Sequence, residues 1–200
     1  MQPINTWLAI WSRPKMAIRA AVEKNPKGSF FVLAMITGLQ LLLFLNGYYA
    51  FSAMAYNFPV FLMGAVILAP FIGFACIYFF TLLIYLPGKW LGGKAAFRLV
   101  SLSVAWSKAP MIIDIVMWLM LFVFISQFFS MQFLFGASLI FFNAVFFITA
   151  VWSLVILIQA LSEVEQFSVG RAIASIALAY LFLLVACFIV VYLSVVVINF

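Results

Sequence analysis

The chain has 200 residues, 70% of them hydrophobic and 7% charged, with a formal net charge of +6. Soluble domains carry roughly 25% charged residues, so a chain this poor in polar groups cannot clothe a water-facing surface, and its solvent is lipid. The absence of histidine removes the commonest general base and metal ligand, and Cys76 and Cys187, each inside an apolar run, read as small core hydrophobes rather than a disulfide or metal framework.

Residues 1–29 form a leader rich in cations. Trp7 and Trp11 stand one helical turn apart, and Ser12 followed by Pro14 reads as the cap and first turn of a helix that ends at Pro26. Met16, Ile18 and Val22 alternate with Lys15, Arg19, Glu23 and Lys24. This pattern predicts a helix lying on the cytoplasmic leaflet, with the tryptophans at headgroup depth and Arg13, Lys15 and Arg19 over anionic headgroups. A short tail that only sets topology is the competing reading, and the two are compatible.

Crossing a bilayer as a helix takes about 20 apolar residues. Five stretches qualify: 30–51, 59–86, 110–128, 133–161 and 172–199, with Asp114 the one charge inside the third. Their backbone groups must pair within each segment, and no alternating barrel pattern is present. The Ala-Met-Ala sequence at Ala53–Ala55 resembles a signal-peptidase site, but the apolar run before it is too long for a signal peptide and predicts an uncleaved anchor. Cation-bearing segments alternate with uncharged loops at 52–58 and 130–132. That alternation predicts a cytoplasmic N-terminus and an outside C-terminus.

Between the second and third spans, "GKWLGGKA" (Gly88–Ala95) reads Gly, four residues, Gly, Lys, one hydroxyl short of a phosphate-binding loop. A membrane helix precedes it where a strand is required, and Ala95 stands where the magnesium-binding hydroxyl belongs. The stretch is therefore expected to be a cation-bearing turn whose glycines let the chain bend sharply. Beyond it, Phe97, Val100, Val104 and Trp106 alternate with Lys94, Arg98, Ser101 and Lys108. This predicts a second surface helix ended by Pro110, or else one long helix from Lys94 to Phe128 kinked at that proline.

Charges inside a membrane are functional hypotheses by default. Asp114 reads as a proton or cation site paired with Lys108 or Arg98, or as a structural carboxylate near a helix N-terminus. Gln40, Asn46, Asn143, Thr149 and Gln159 line a polar path or bond across helices, and Gly38, Gly64, Gly73, Ser175 and Ala179 mark close helix contacts.

The stretches "GGKAAFRLVSLSVAWSKAP" and "VWSLVILIQALSEVEQFSVGRAIA" resemble the Yip-one family (Ypt-interacting protein, Yip domain) in the order of Gly92, Gly93, Lys94, Phe97, Trp106, Pro110, Trp152, Glu163, Ser168, Arg171 and Ala172. The leader "WSRPKMAI" is similar to that family's Trp-Arg-Pro opening. The resemblance implies a five-span fold with the N-terminus inside. Eukaryotic members carry a long cytosolic region and bind Rab-type GTPases. This chain has a short leader and lacks their Asp-Leu-Tyr-Gly-Pro element, so it looks like the short prokaryotic members, and a Rab-type GTPase is not an expected partner.

The sequence thus predicts an all-α polytopic bundle of five transmembrane helices with amphipathic interfacial helices, its membrane domain spanning 30–200, in the bacterial cytoplasmic membrane. The expected function is a non-enzymatic membrane organiser or adaptor, contacting anionic lipid or a partner through Trp7, Trp11, Arg13, Lys15, Arg19, Lys94 and Arg98. The alternative is a small-solute or ion transporter or channel using Asp114, Lys108 and the membrane amides. No cofactor, metal or nucleic acid is expected. The partners are the bilayer and a membrane protein or a second copy of the chain.

Overall fold

The structure, a computed structural model, describes residues 5–24, 27–53, 58–128 and 132–198. Pro26, the loops at 54–57 and 129–131, and most of the Ala53–Ala55 stretch lie outside the described residues, as does the side chain of Asn46. Among the described residues there are eight helices and no strand.

Two short helices open the chain, α1 (Thr6–Ser12) and α2 (Pro14–Lys24). Asn5 caps α1, its side-chain oxygen accepting the Trp7 N–H at 3.1 Å. Proline at the first position of α2 costs no hydrogen bond, because that N–H has no helical acceptor. The leader is thus two helices, with Ser12 the last residue of α1 and Arg13 between them.

Next come α3 (Lys27–Ala53) and α4 (Phe58–Trp90), which pack closely along their length. Small residues decide this pairing. Gly38 lies directly against the Ala69 backbone, and Gly73 against that of Ala34. Sequence reading ends the second span at Leu86, but α4 continues through Pro87 to Trp90.

The third crossing is broken. α5 (Phe97–Ser107) and α6 (Met111–Phe128) meet across Lys108–Pro110. Proline brings no N–H, the Lys108 N–H turns back to the Ala105 carbonyl at 3.0 Å, and the Ala109 N–H to that of Trp106 at 3.2 Å. Both pieces pack on α7 (Gln132–Val164): α6 on its first half, where Trp118 stacks on Phe146 at 5.4 Å, and α5 on its second half, where Val100 and Val104 join Ile156, Leu157 and Ala160. Here the structure differs from the expected surface helix. Every residue of α5 from Val100 to Ser107 is buried or half-buried, because α3, α4 and α7 enclose it on several sides. The continuous but kinked reading is the nearer one. The last helix, α8 (Val169–Ile198), packs on α4 and α7 and starts a little before the expected Ala172.

The outward faces remain apolar: Phe71, Phe147 and Phe188 are each about 70% exposed, and they meet lipid chains rather than water. Among the described residues, five helical stretches are long and apolar enough to cross a membrane, the broken α5–α6 pair counting as one from Phe97 to Leu121.

The leader is part of the core. Ile10, Ala17, Ile18 and Ala21 are completely buried together with Leu33, Trp106, Ile156 and Leu161. Trp7 packs on the Trp106 ring at 4.9 Å. Trp11 is half-buried against the same cluster. The two leader tryptophans therefore hold α1 to the bundle instead of standing free at headgroup depth, while Leu8 and Met16 take the exposed positions.

Candidate functional site

One end of the bundle gathers the leader, the α4–α5 turn and the α7–α8 turn. Its centre is a carboxylate. Glu165, just past the end of α7, is only 2% exposed, and its Oε2 accepts the Ala95 N–H at 2.8 Å. The turn that receives it is the glycine-rich stretch after α4. Gly92 has φ of +88°, a left-handed conformation open to glycine at little cost. The Gly93 N–H closes the turn on the Gly88 carbonyl at 2.9 Å. A Cβ at Gly93 would stand 2.8 Å from the Glu165 carboxyl carbon, so no larger residue fits without displacing it. A Cβ at Gly88 would stand 3.4 Å from Oε1 and 3.5 Å from the Ser175 hydroxyl, which donates to the Ile84 carbonyl. The near-phosphate loop does cradle an acidic group, and that group is the chain's own carboxyl. On the far side of Glu165, Gln166 takes a positive φ of 56° and ends the helix sharply.

A second link ties the leader to the same place. Arg19 donates from Nε to Glu163 Oε1 at 3.0 Å, and its Nη2 bonds the same oxygen. The Glu163 carboxylate, by hydrogen bonding first and charge second, holds the Arg19 guanidinium above its ordinary range. A basic group stabilised this way contributes at every pH below that range and loses the contribution only as pH rises through it. The guanidinium is exposed, which keeps the energy of the pair small.

Around these links stands a collar of cations. Arg13, Lys15, Lys89, Lys94, Arg98 and Arg171 are all exposed. Lys89 bonds the Gly93 carbonyl at 3.2 Å and lies over the Tyr85 ring. Leu8, Met16, Trp90 and Val169 add exposed apolar side chains at this end, with Trp90 70% exposed. Of the residues expected to contact lipid or a partner, Arg13, Lys15, Lys94 and Arg98 lie on this outer surface, Arg19 engages Glu163, and Trp7 and Trp11 pack inward.

Asp114 belongs to a different constellation. It is 4% exposed near the start of α6. The Thr149 hydroxyl of α7 lies 2.6 Å from Oδ1, and Gln40 Nε2 of α3 donates to Oδ2 at 3.3 Å. Three helices are thus joined at one carboxylate, and two of the residues expected to line a polar path become its partners. The expected pairing with Lys108 does not occur. Lys108, at the break between α5 and α6, turns the other way, and its ammonium lies 5.4 Å from the Phe80 ring centre. Glu165 is the residue that sequence reading missed. It sits in a run with Glu163 that looks like a solvated acidic loop, and only the glycines at 88 and 93, seventy-odd residues away, hinted at a partner. Among the described residues there is no group of three or more acidic or cysteine side chains arranged to hold a metal.

An all-helical bundle, five membrane-length stretches and a leader pinned to a glycine-rich turn define a polytopic α-helical membrane protein. The family model for the Yip1 domain matches residues 8–192, nearly the whole chain. The chain therefore belongs to the Yip1 family. No curated protein and no solved structure matches it.

Proposed function

We propose that this Yip1-family protein is a non-enzymatic membrane organiser that works through its leader end. The observation that carries the reading is the cation collar interleaved with exposed Leu8, Met16 and Trp90. Apolar side chains inserted among lysines and arginines suit the headgroup layer of an anionic leaflet, where each cation contributes about 1 kcal/mol. By the positive-inside rule this end faces the cytoplasm, which puts the C-terminus outside, in a bacterial cytoplasmic membrane. The leader's packing onto α5 and α7 supports a rigid platform rather than a loose tail, so a lipid or membrane partner meets a preformed surface.

The test is photocrosslinking in cells from probes placed at Leu8, Met16 and Lys94, whose side chains point outward. Crosslinks to acidic lipid or to one membrane protein are expected. They should fall when Arg13, Lys15 and Arg98 become Gln, and salt should weaken the same contacts in isolated membranes. A crosslinking pattern indifferent to those substitutions would overturn the reading. The transporter alternative draws on the Asp114–Thr149–Gln40 cluster beside a broken span. It requires that Asp114→Asn abolish flux into proteoliposomes while assembly is preserved.

A further inference from the structure

Lys108 is drawn in between helices, unlike the cations displayed at the bundle end. It is half-buried in a small, partly open crevice between α4, α5, α7 and α8. The walls are Phe80, Leu83, Val104 and Leu183, with the exposed Tyr180 at one side. No carboxylate of the described residues lies within 4.0 Å of its ammonium, which lies over the Phe80 ring and near the Cys76 thiol. An ammonium has three donors. A cation–π contact satisfies its charge only in part, and a desolvated charge without an acceptor is costly. The position at the C-terminal end of α5, where helix carbonyls collect partial negative charge, helps to hold the cation but does not supply an acceptor for every donor.

Depth identifies the missing group. α4 and α7 have 33 residues each. At 1.5 Å per residue each is about 50 Å long, so about 10 Å extends beyond a hydrocarbon layer of roughly 30 Å at either end. Leu157, which lines the crevice, lies seven residues from the end of α7, about 10 Å by the same rise. The Lys108 ammonium therefore sits where headgroups give way to acyl chains. An acceptor there must bring a negative charge on one end and an apolar body on the other. A free anion has no apolar body.

We infer that the Lys108 crevice binds the phosphate of one acidic phospholipid, with its acyl chains lying along the exposed apolar faces of α4 and α8. The site is separate from the collar and does not depend on the organiser reading.

The experiment is native mass spectrometry of the whole protein in detergent, titrated with palmitoyl-oleoyl phosphatidylglycerol or with the phosphatidylcholine of the same chains. One phosphatidylglycerol should be retained in preference to phosphatidylcholine. Lys108→Met and Leu183→Trp, which remove the charge and fill the crevice, should lower its retention on the order of fivefold. Lys108→Arg should restore it, and Arg13→Gln with Lys15→Gln should leave it unchanged. Equal retention of the two lipids, or retention unaffected by both Lys108→Met and Leu183→Trp, overturns the inference. Loss in the collar variant alone overturns it too, and that result would credit the collar instead. Crosslinking of the wild-type chain to a phosphatidylglycerol with a photoactivatable headgroup needs no variant. Label on the peptides around Phe80 and Tyr180 supports the site, and label confined to other peptides refutes it.

Discussion

The α3–α4 contact makes the sharpest prediction. Replacing Gly38 with Ala would put a Cβ 2.7 Å from the Ala69 carbonyl carbon and 2.8 Å from the Gly73 nitrogen, with the Ala69 carbonyl oxygen closer still. Ordinary contact for a Cβ begins near 3.4 Å, so the deficit is at least 3.4 − 2.7 = 0.7 Å. For Gly73→Ala, against the Ala34 carbonyl carbon at 2.5 Å, it is 3.4 − 2.5 = 0.9 Å. The obstacles are helix backbone, which cannot rotate aside as a side chain can. One helix must retreat by most of an ångström, and a gap of about 0.5–1 Å forfeits roughly a quarter to a half of each dispersion contact along the seam. We expect each substitution to cost about 3 kcal/mol, the upper range for overpacking. Gly64→Ala is the internal control. A Cβ there meets nothing within 4 Å, so the change should be neutral or stabilising by up to about 1 kcal/mol through helix propensity. The assay is unfolding of the purified protein in dodecylmaltoside micelles titrated with SDS, followed by tryptophan fluorescence. If Gly38→Ala and Gly64→Ala unfold at the same SDS fraction, the backbone-contact argument is wrong.

Substitutions at two further positions probe the buried carboxylates. Glu165→Ala removes the acceptor of the Ala95 N–H and opens a void in the glycine turn, at a cost of about 2–3 kcal/mol, and it should expose the 91–96 turn to limited proteolysis. Glu165→Gln, which keeps an acceptor oxygen, should protect that turn better than Ala does, and identical digestion of wild type and Glu165→Ala would refute the cradle. Asp114→Asn retains an oxygen for the Thr149 hydroxyl, and the Gln40 amide can rotate to meet the new NH2, so its unfolding midpoint should move by under about 1 kcal/mol. Asp114→Leu strands Gln40 and should cost about 1–3 kcal/mol in the same SDS titration. Equal damage from Asn and Leu would show that the negative charge itself, rather than the bonding pattern, holds the three helices.

Several features were legible in the residues because they follow from composition or local pattern. The five spans required only runs of apolar side chains, and Pro110 announced a break by lacking an N–H. Gly38, Gly73, Ser175 and Ala179 were recognisable as packing points by their size, and all are buried in the structure. Gly64 has the same size and no neighbour, because a small residue permits close approach without saying which face of the helix a partner takes. The same limit explains α5. Its alternation of Phe97, Val100 and Val104 with Arg98 and Ser101 looks like a surface stripe, yet Ser101 and Ser103 bury by returning their hydroxyls to the carbonyls of Arg98 and Leu99. A serine that satisfies itself within its own helix carries no sequence mark of where it lies.

What the sequence determined by itself was the solvent, the number of crossings and the family, since hydropathy and motif order are summed along the chain and need no partner. The tertiary structure decided every pairing across distance. It set Glu165 in the turn at Gly93, Arg19 on Glu163, Trp7 on Trp106, and Asp114 with Thr149 and Gln40 instead of Lys108. The physical reason is that an apolar bundle imposes no local rule on its few polar groups. A side chain that cannot bond within its own helix must find a partner elsewhere, and which segment stands opposite is fixed by packing of backbones at small residues, a property of two segments together and of neither alone.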